Sequence, residues 1–271
     1  MRNRKIGFFD SGVGGLTVVE AVHRVLPAYD TIYLGDTARA PYGNRSHVQL
    51  VEFTWQACQW LFKQSCELVI VACNSASASA LREIQQKRLP DYPGKRILGV
   101  IRPTVEELAQ RGYKKILVLS TEATKKSQAY VHEFAKLNPT TQITSYACPR
   151  WAPMIEAGKA GSAELRTDVA HELHAAQKIT PQVDAILLAC THYPYVKKEV
   201  EAVLPTVPVF EQGAVVAHAL GKYLARHPEI ERHLASTSKH NYYVTGNAQI
   251  AQKIAQDYFG FRLHLVHVSL G

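Results

Sequence analysis

The sequence predicts an α/β protein of two pseudo-symmetric parallel-sheet domains, with the active site in the cleft between them. Three observations lead there. Apolar runs of strand length alternate with longer amphipathic segments along the 271 residues, the pattern of strand–helix–strand units. Segments from the two halves match: KIGFFDS at 5–11 resembles KILVLST at 115–121, and VIVACNS at 69–75 resembles ILLACTH at 186–192. Each of these strands ends in polar residues, and ligands of open α/β sheets sit beyond the carboxyl ends of the strands.

Taken in order, strands are expected at 6–9, 31–34, 68–72 and 96–101, then at 115–119, 142–146, 185–189 and 207–210. Two weaker runs follow at 242–245 and 262–268. Helical patterns occupy 17–26, 49–63, 77–86 and 162–177. The chain is expected to cross between domains between Ile101 and Lys115 and to return near Phe210. The first domain then takes 1–100 plus 211–271 and carries Asp10 and Cys73; the second takes 101–210 and carries Thr121 and Cys190.

Composition narrows the function classes. A chain of this length buries roughly 70–75% of its unfolded surface, so no disulfide or metal staple is needed. No stretch approaches the ~20 apolar residues of a membrane span, and the N-terminus lacks the apolar core of a secretory signal. A cytoplasmic protein is expected. The five cysteines are odd in number and form no CxxC pair, which argues against a disulfide framework and structural zinc. The net charge of +8 comes from scattered pairs such as Lys114-Lys115 and Lys197-Lys198. Scattered pairs read as solvated faces, although a basic surface attracts anionic substrates or nucleic acid.

Cys73 and Cys190 carry the sharpest chemistry. Each follows an apolar strand and precedes residues that can open a helix, where helix N–H groups favour a thiolate. A lone buried Cys is commonly a small hydrophobe; two at equivalent places of matched halves are not explained that way. Racemisation needs two opposed acid–base groups: a thiolate takes the α-proton from one face of the carbon and a thiol returns one to the other. Asp10 reads as a partner for a substrate ammonium or as a group assisting Cys73, and His192, two residues after Cys190, as a tuning group for that thiol. The Gly-rich segment 12–15 satisfies G-x-G, but Thr17 breaks the dinucleotide fingerprint and Asp10 would repel a pyrophosphate. Asp36, ending the next strand, is the acid such a fold would need for a ribose. His171 and His174, in HELH, lack the HExxH spacing of a zinc protease and read as a solvated helix face.

At these residues the chain resembles the glutamate racemases of the aspartate/glutamate racemase family. The resemblance is carried by IGFFDSGVGGLTVV (6–19), YLGDTARAPYGNRS (33–46), VACNSASASAL (71–81), LSTEATKKSQAY (119–130), ACPRWAPMIEAG (147–158) and LLACTHYP (187–194). It implies interconversion of L- and D-glutamate for peptidoglycan, two α/β domains, no pyridoxal phosphate, no metal and a homodimer. It makes Cys73 and Cys190 the catalytic thiols, Asp10 and His192 their assisting groups, and Glu156 a further candidate acid. Substrate contacts fall on Asp10, Ser11, Tyr42, Gly43, Asn74, Ser75, Thr121, Thr191 and His192. The chain departs from the common pattern at Ser75 (often Thr), Ser120 (often Gly) and 211–213, Glu-Gln-Gly where Asp-Ser-Gly is usual. An aspartate or broad-specificity racemase is the sister reading. A regulatory protein on the same fold, binding gyrase or nucleic acid through its basic surface, is the alternative of a different class.

Overall fold

The computed structural model describes residues 2–260 and 263–270. Among these residues ten strands form two sheets. The first contains β1 (Lys5–Asp10), β2 (Thr31–Gly35), β3 (Cys66–Val71) and β4 (Arg96–Gly99). The second contains β5 (Lys115–Ser120), β6 (Gln142–Ala147), β7 (Ala185–Ala189) and β8 (Val209–Phe210). The chain then returns to the first sheet with β9 (His240–Val244) and β10 (Leu265–His267). Their orders are β10-β9-β2-β1-β3-β4 and β6-β5-β7-β8, and every named pair is parallel. The order β2-β1-β3-β4 repeats as β6-β5-β7-β8, so the sequence repeat is a repeat of topology. The central strands β1, β3, β5 and β7 are near-continuous apolar runs because helices cover both faces of each sheet.

Local signals start the helices. Ser46 caps His47–Lys63 in a capping box with Gln49. Ser162 caps Ala163–Ile179, and Asn247 caps Ala248–Phe259, which Gly260 ends in the left-handed conformation. The apolar run at 96–101 stops pairing at Gly99, and Ile101 opens helix Ile101–Gln110; a short apolar run does not by itself separate strand from buried helix. The helix expected at 77–86 begins at Asn74 and breaks at Ala80 into Asn74–Ser79 and Leu81–Lys87. Its earlier start makes Cys73 the N-cap. The last expected run begins at 262, outside the described residues; its paired part is Leu265–His267.

Helix Ile101–Gln110 connects the sheets and packs against Ala129–Leu137 on one side and Gly213–Arg226 on the other. The carboxyl ends of β1, β3, β5 and β7 converge on one cavity lined from both sheets.

Candidate active site

Each thiol owes its place to a strand end. Cys73 lies two residues beyond β3 and Cys190 immediately beyond β7, and both are buried. They line a narrow cavity of about 30 Å³. Ser11, Tyr42 and Gly43 line it from the loops after β1 and β2, and Asn74 and Ser75 from the helix that Cys73 caps. The second sheet supplies Thr121, Glu156, Thr191 and His192. The sequence did not single out Pro149 and Pro153, which complete this wall.

The surroundings of the two sulfurs differ. Cys73 Sγ donates to the Ser11 hydroxyl at 3.6 Å. Burial pushes its thiol up to about 12 and the Asp10 charge adds to that, over the opposing Ala76 N–H and Ser11 hydroxyl. The lowering expected from the helix start is therefore outweighed: a helix of six residues supplies less than burial removes. Cys190 Sγ lies 3.8 Å from His192 Nδ1, and His192 Nε2 lies 2.9 Å from Glu156 Oε1. Burial opposes charge on His192, but its bonds to Cys190 and Glu156 prevail and hold the imidazole well above its ordinary range. An imidazolium here donates from both ring nitrogens, to sulfur and to carboxylate.

Asp10 stands behind the cavity wall and is fully buried. It accepts from the Gly12 N–H at 3.0 Å and the Thr191 hydroxyl at 3.1 Å. Burial raises its pKa, against the opposing charge of His192 and these hydrogen bonds. Asp10 thereby joins the strand ends of the two sheets.

The Gly-rich turn has a packing reason in place of a phosphate-binding one. A Cβ on Gly12 would lie 2.1 Å from Glu156 Oε1, and one on Gly14 2.7 Å from His192 Nδ1 and 2.8 Å from Thr191 Oγ1. The two glycines let side chains of the second sheet press onto the first. Asp36 is equally committed: it accepts from Tyr42 and from Arg39 and Thr245 at 2.6 and 2.7 Å. It anchors the loop carrying Tyr42 and offers nothing to a ribose.

Asn74 lines the cavity, but its side-chain amide is spent on a buried network. It donates to Gln212 at 2.6 Å and accepts from Tyr130 at 2.6 Å, and Gln212 donates to Tyr130 and Thr104 at 2.8 and 3.1 Å. The departure at Gln212 is therefore part of a polar joint between the sheets; partners 138 residues apart left no signal in the sequence. Ser75 and Thr121 close a second bridge, hydroxyl to hydroxyl at 2.8 Å. His171 and His174 are exposed, away from this cavity. Among the described residues no group of three or more His, Cys, Asp and Glu is placed to hold a metal.

The cavity thus holds two sulfurs from equivalent strand ends and carries Asn, Ser and Thr side chains, with no Lys or Arg on its lining among the described residues. Residues 15–220 match the model of the Asp/Glu/Hydantoin racemase family. The chain belongs to this racemase family. A glutamate racemase of Streptococcus suis is 36% identical over the whole of both chains. The structure of a glutamate racemase isoform from Bacillus anthracis superposes with a TM-score of 0.89 at 29% identity, covering 100% of this chain and 99% of that one. That of Francisella tularensis glutamate racemase in complex with D-glutamate gives 0.88 at 29% identity over the same shares. An aspartate racemase from Picrophilus torridus shares the fold, with a TM-score of 0.55 at 19% identity over 82% of this chain. Within the racemase family the likeness is thus fuller to enzymes acting on glutamate. No helix among the described residues is long and apolar enough to cross a membrane.

Proposed function

We propose that the protein interconverts L- and D-glutamate without a cofactor, with Cys73 and Cys190 as the acid–base pair. The observation that carries this reading is the placement of two buried sulfurs, from topologically equivalent strands, on one cavity. One sulfur, as thiolate, takes the α-proton from its face of the substrate, and the other, as thiol, delivers a proton to the opposite face. After one turnover each sulfur holds the other's former state, so the roles exchange with the handedness of the substrate.

The unequal surroundings suit this division. Cys73, held high by burial and Asp10, rests as a thiol and is the ready donor. Across the cavity His192, held as an imidazolium by Glu156, lies against Cys190. The hydroxyls of Ser11, Ser75 and Thr121, together with backbone N–H groups at helix starts, receive the two carboxylates, with Asn74 and Thr191 on the same lining. Tyr42 and Gly43 close the wall beside Thr121. Such a site keeps the carbanion-like transition state away from water, where fixed dipoles act most strongly.

The same reading makes 1–100 plus 211–271 one domain and 101–210 the other, parting at the cleft. It makes the protein a cytoplasmic homodimer supplying D-glutamate for peptidoglycan. The deciding measurement is α-proton exchange of L-glutamate in deuterated water with cofactor-stripped protein, followed by NMR and circular dichroism. Exchange with inversion is expected. Exchange without inversion would overturn the two-base assignment, and turnover of aspartate in preference would overturn the substrate.

A further inference from the structure

Helix Ala248–Phe259 lies in the chain between β9 and β10 of the first sheet, yet its last turn reaches the second. The Tyr258 hydroxyl donates to the main-chain carbonyl of Ile155. Its ring stacks on Tyr195 with centroids 4.0 Å apart and planes at 23°. Tyr258 packs against the apolar cluster under β5 and β7, together with Tyr195.

Both contacts fall beside the group that faces Cys190. Ile155 precedes Glu156, the last residue of the six-residue helix Trp151–Glu156. Tyr195 belongs to the turn that begins at His192, and its N–H donates to the His192 carbonyl at 3.1 Å. Tyr258 therefore grips the Glu156 end of the carboxylate–imidazole pair through its hydroxyl and the His192 end through its ring. Glu156 needs such a grip. A helix this short does not hold its terminal side chain by itself, and the Glu156 carboxylate is 23% exposed, against 5% for the His192 ring. Burial, with the nearby charge of Glu156, raises the Tyr258 phenol above its ordinary range, so the hydroxyl stays a donor wherever the enzyme works.

We infer that Tyr258 is a positioning residue for the reaction, a clasp from the first sheet that holds Glu156 on His192 and so sets the acid–base group beside Cys190. The role in turnover rests on the racemase reading above; the clasp itself rests on geometry alone. On the Cys73 side the Tyr33 hydroxyl donates to the Gly12 carbonyl at 2.6 Å, but Tyr33 belongs to β2 of the first sheet itself, whereas Tyr258 reaches across to the second.

The test is Tyr258→Phe, which keeps the ring stack and removes the donated hydrogen bond, compared with Tyr258→Leu, which removes both. Glutamate racemisation is followed across pH in both directions, and the His192 ring is titrated by NMR. Tyr258→Phe is expected to lower kcat about 5- to 20-fold with little change in KM and to move the His192 titration to lower pH. Tyr258→Leu should move both further. In a Glu156→Gln background, Tyr258→Phe should add no further shift, because the carboxylate it positions is gone. A His192 titration unmoved in Tyr258→Phe overturns the inference, and so does a kcat loss that only follows a lower unfolding temperature. The ring titration needs no turnover: if the wild-type protein did not racemise glutamate, the clasp would still stand or fall on that shift.

Discussion

Cys73 and Cys190 end equivalent strands of sheets with the same order, yet they meet different partners. Around Cys73 stand a serine hydroxyl and the Asp10 carboxylate, and burial, with that charge added, keeps the proton on sulfur. Around Cys190 stands an imidazole gripped by Glu156 from behind. A repeat fixes where a side chain leaves the backbone; what it meets is set by the loops, which differ between the sheets. The connections after β7 and β6 supply His192 and Glu156, and the tip of β1 and the turn after it supply Asp10 and Ser11. The comparison teaches that equivalent strand ends can set the same atom in unlike surroundings, burial and a carboxylate at Cys73 and an imidazolium at Cys190.

Several experiments would break or sharpen that contrast. The largest effect belongs to the thiols: Cys73→Ala and Cys190→Ala should each lower racemisation on the order of 10³-fold or more, read by inversion in circular dichroism. Near-normal inversion by either variant would end the two-base account. Next comes Gly14→Ala, whose new methyl would sit 2.7 Å from His192 Nδ1. A shift of that ring by about an ångström costs about 10²-fold in kcat, and unchanged kinetics would mean that the turn gives way more cheaply than the ring. A smaller, diagnostic pair follows. His192→Gln removes the cation beside Cys190 and should cost about 10²-fold in kcat, whereas Ser11→Ala removes a weak sulfur contact and one carboxylate donor and should cost only a few-fold in kcat, with the rest of its loss in KM. Equal losses would erase the asymmetry.

The smallest effect concerns the acid side of any pH profile. His23 and His240 stack at 3.7 Å and share the Thr31 hydroxyl at 2.8 and 3.0 Å. Burial, with the second histidine, brings His23 down to about 4, and burial lowers His240 against the opposing charge of Asp30. The unfolded chain, with His near 6.5, binds protons that the folded chain refuses. This share of stability is therefore intact above pH 6.5 and is lost as pH falls from there towards about 4. Urea midpoints at pH 7 and pH 5 should differ less in His240→Asn than in the wild type. An unchanged difference would assign the acid loss elsewhere.

Much of the fold was legible because its signals are local. β1, β3, β5 and β7 are apolar runs that need no partner to be recognised, and the Ala-Cys steps at 72–73 and 189–190 are sequence facts. The limits came where one string of residues serves two physical ends. Residues 96–101 could pair or coil, and the chain divides them at Gly99. The glycines at 12 and 14 looked like a partial phosphate cradle; Glu156 and His192, far along the chain, are the reason for them. Asp36 looked free until Tyr42, Arg39 and Thr245 were seen on it. Gln212 showed only as a departure from the family pattern, and Tyr130 and Tyr258 gave no sign, since a lone Gln or Tyr has no pattern until its partner is known.

The sequence by itself determined the alternation of strands and helices, the internal repeat and the two thiols at strand ends, because periodicity and strand termini are properties of neighbouring residues. Only the tertiary structure decided why Cys73 keeps its proton, why the turn after β1 must be glycine, and what holds Glu156 against His192. Those outcomes depend on burial and on charges brought together from distant parts of the chain, and neither exists until the two sheets close on each other.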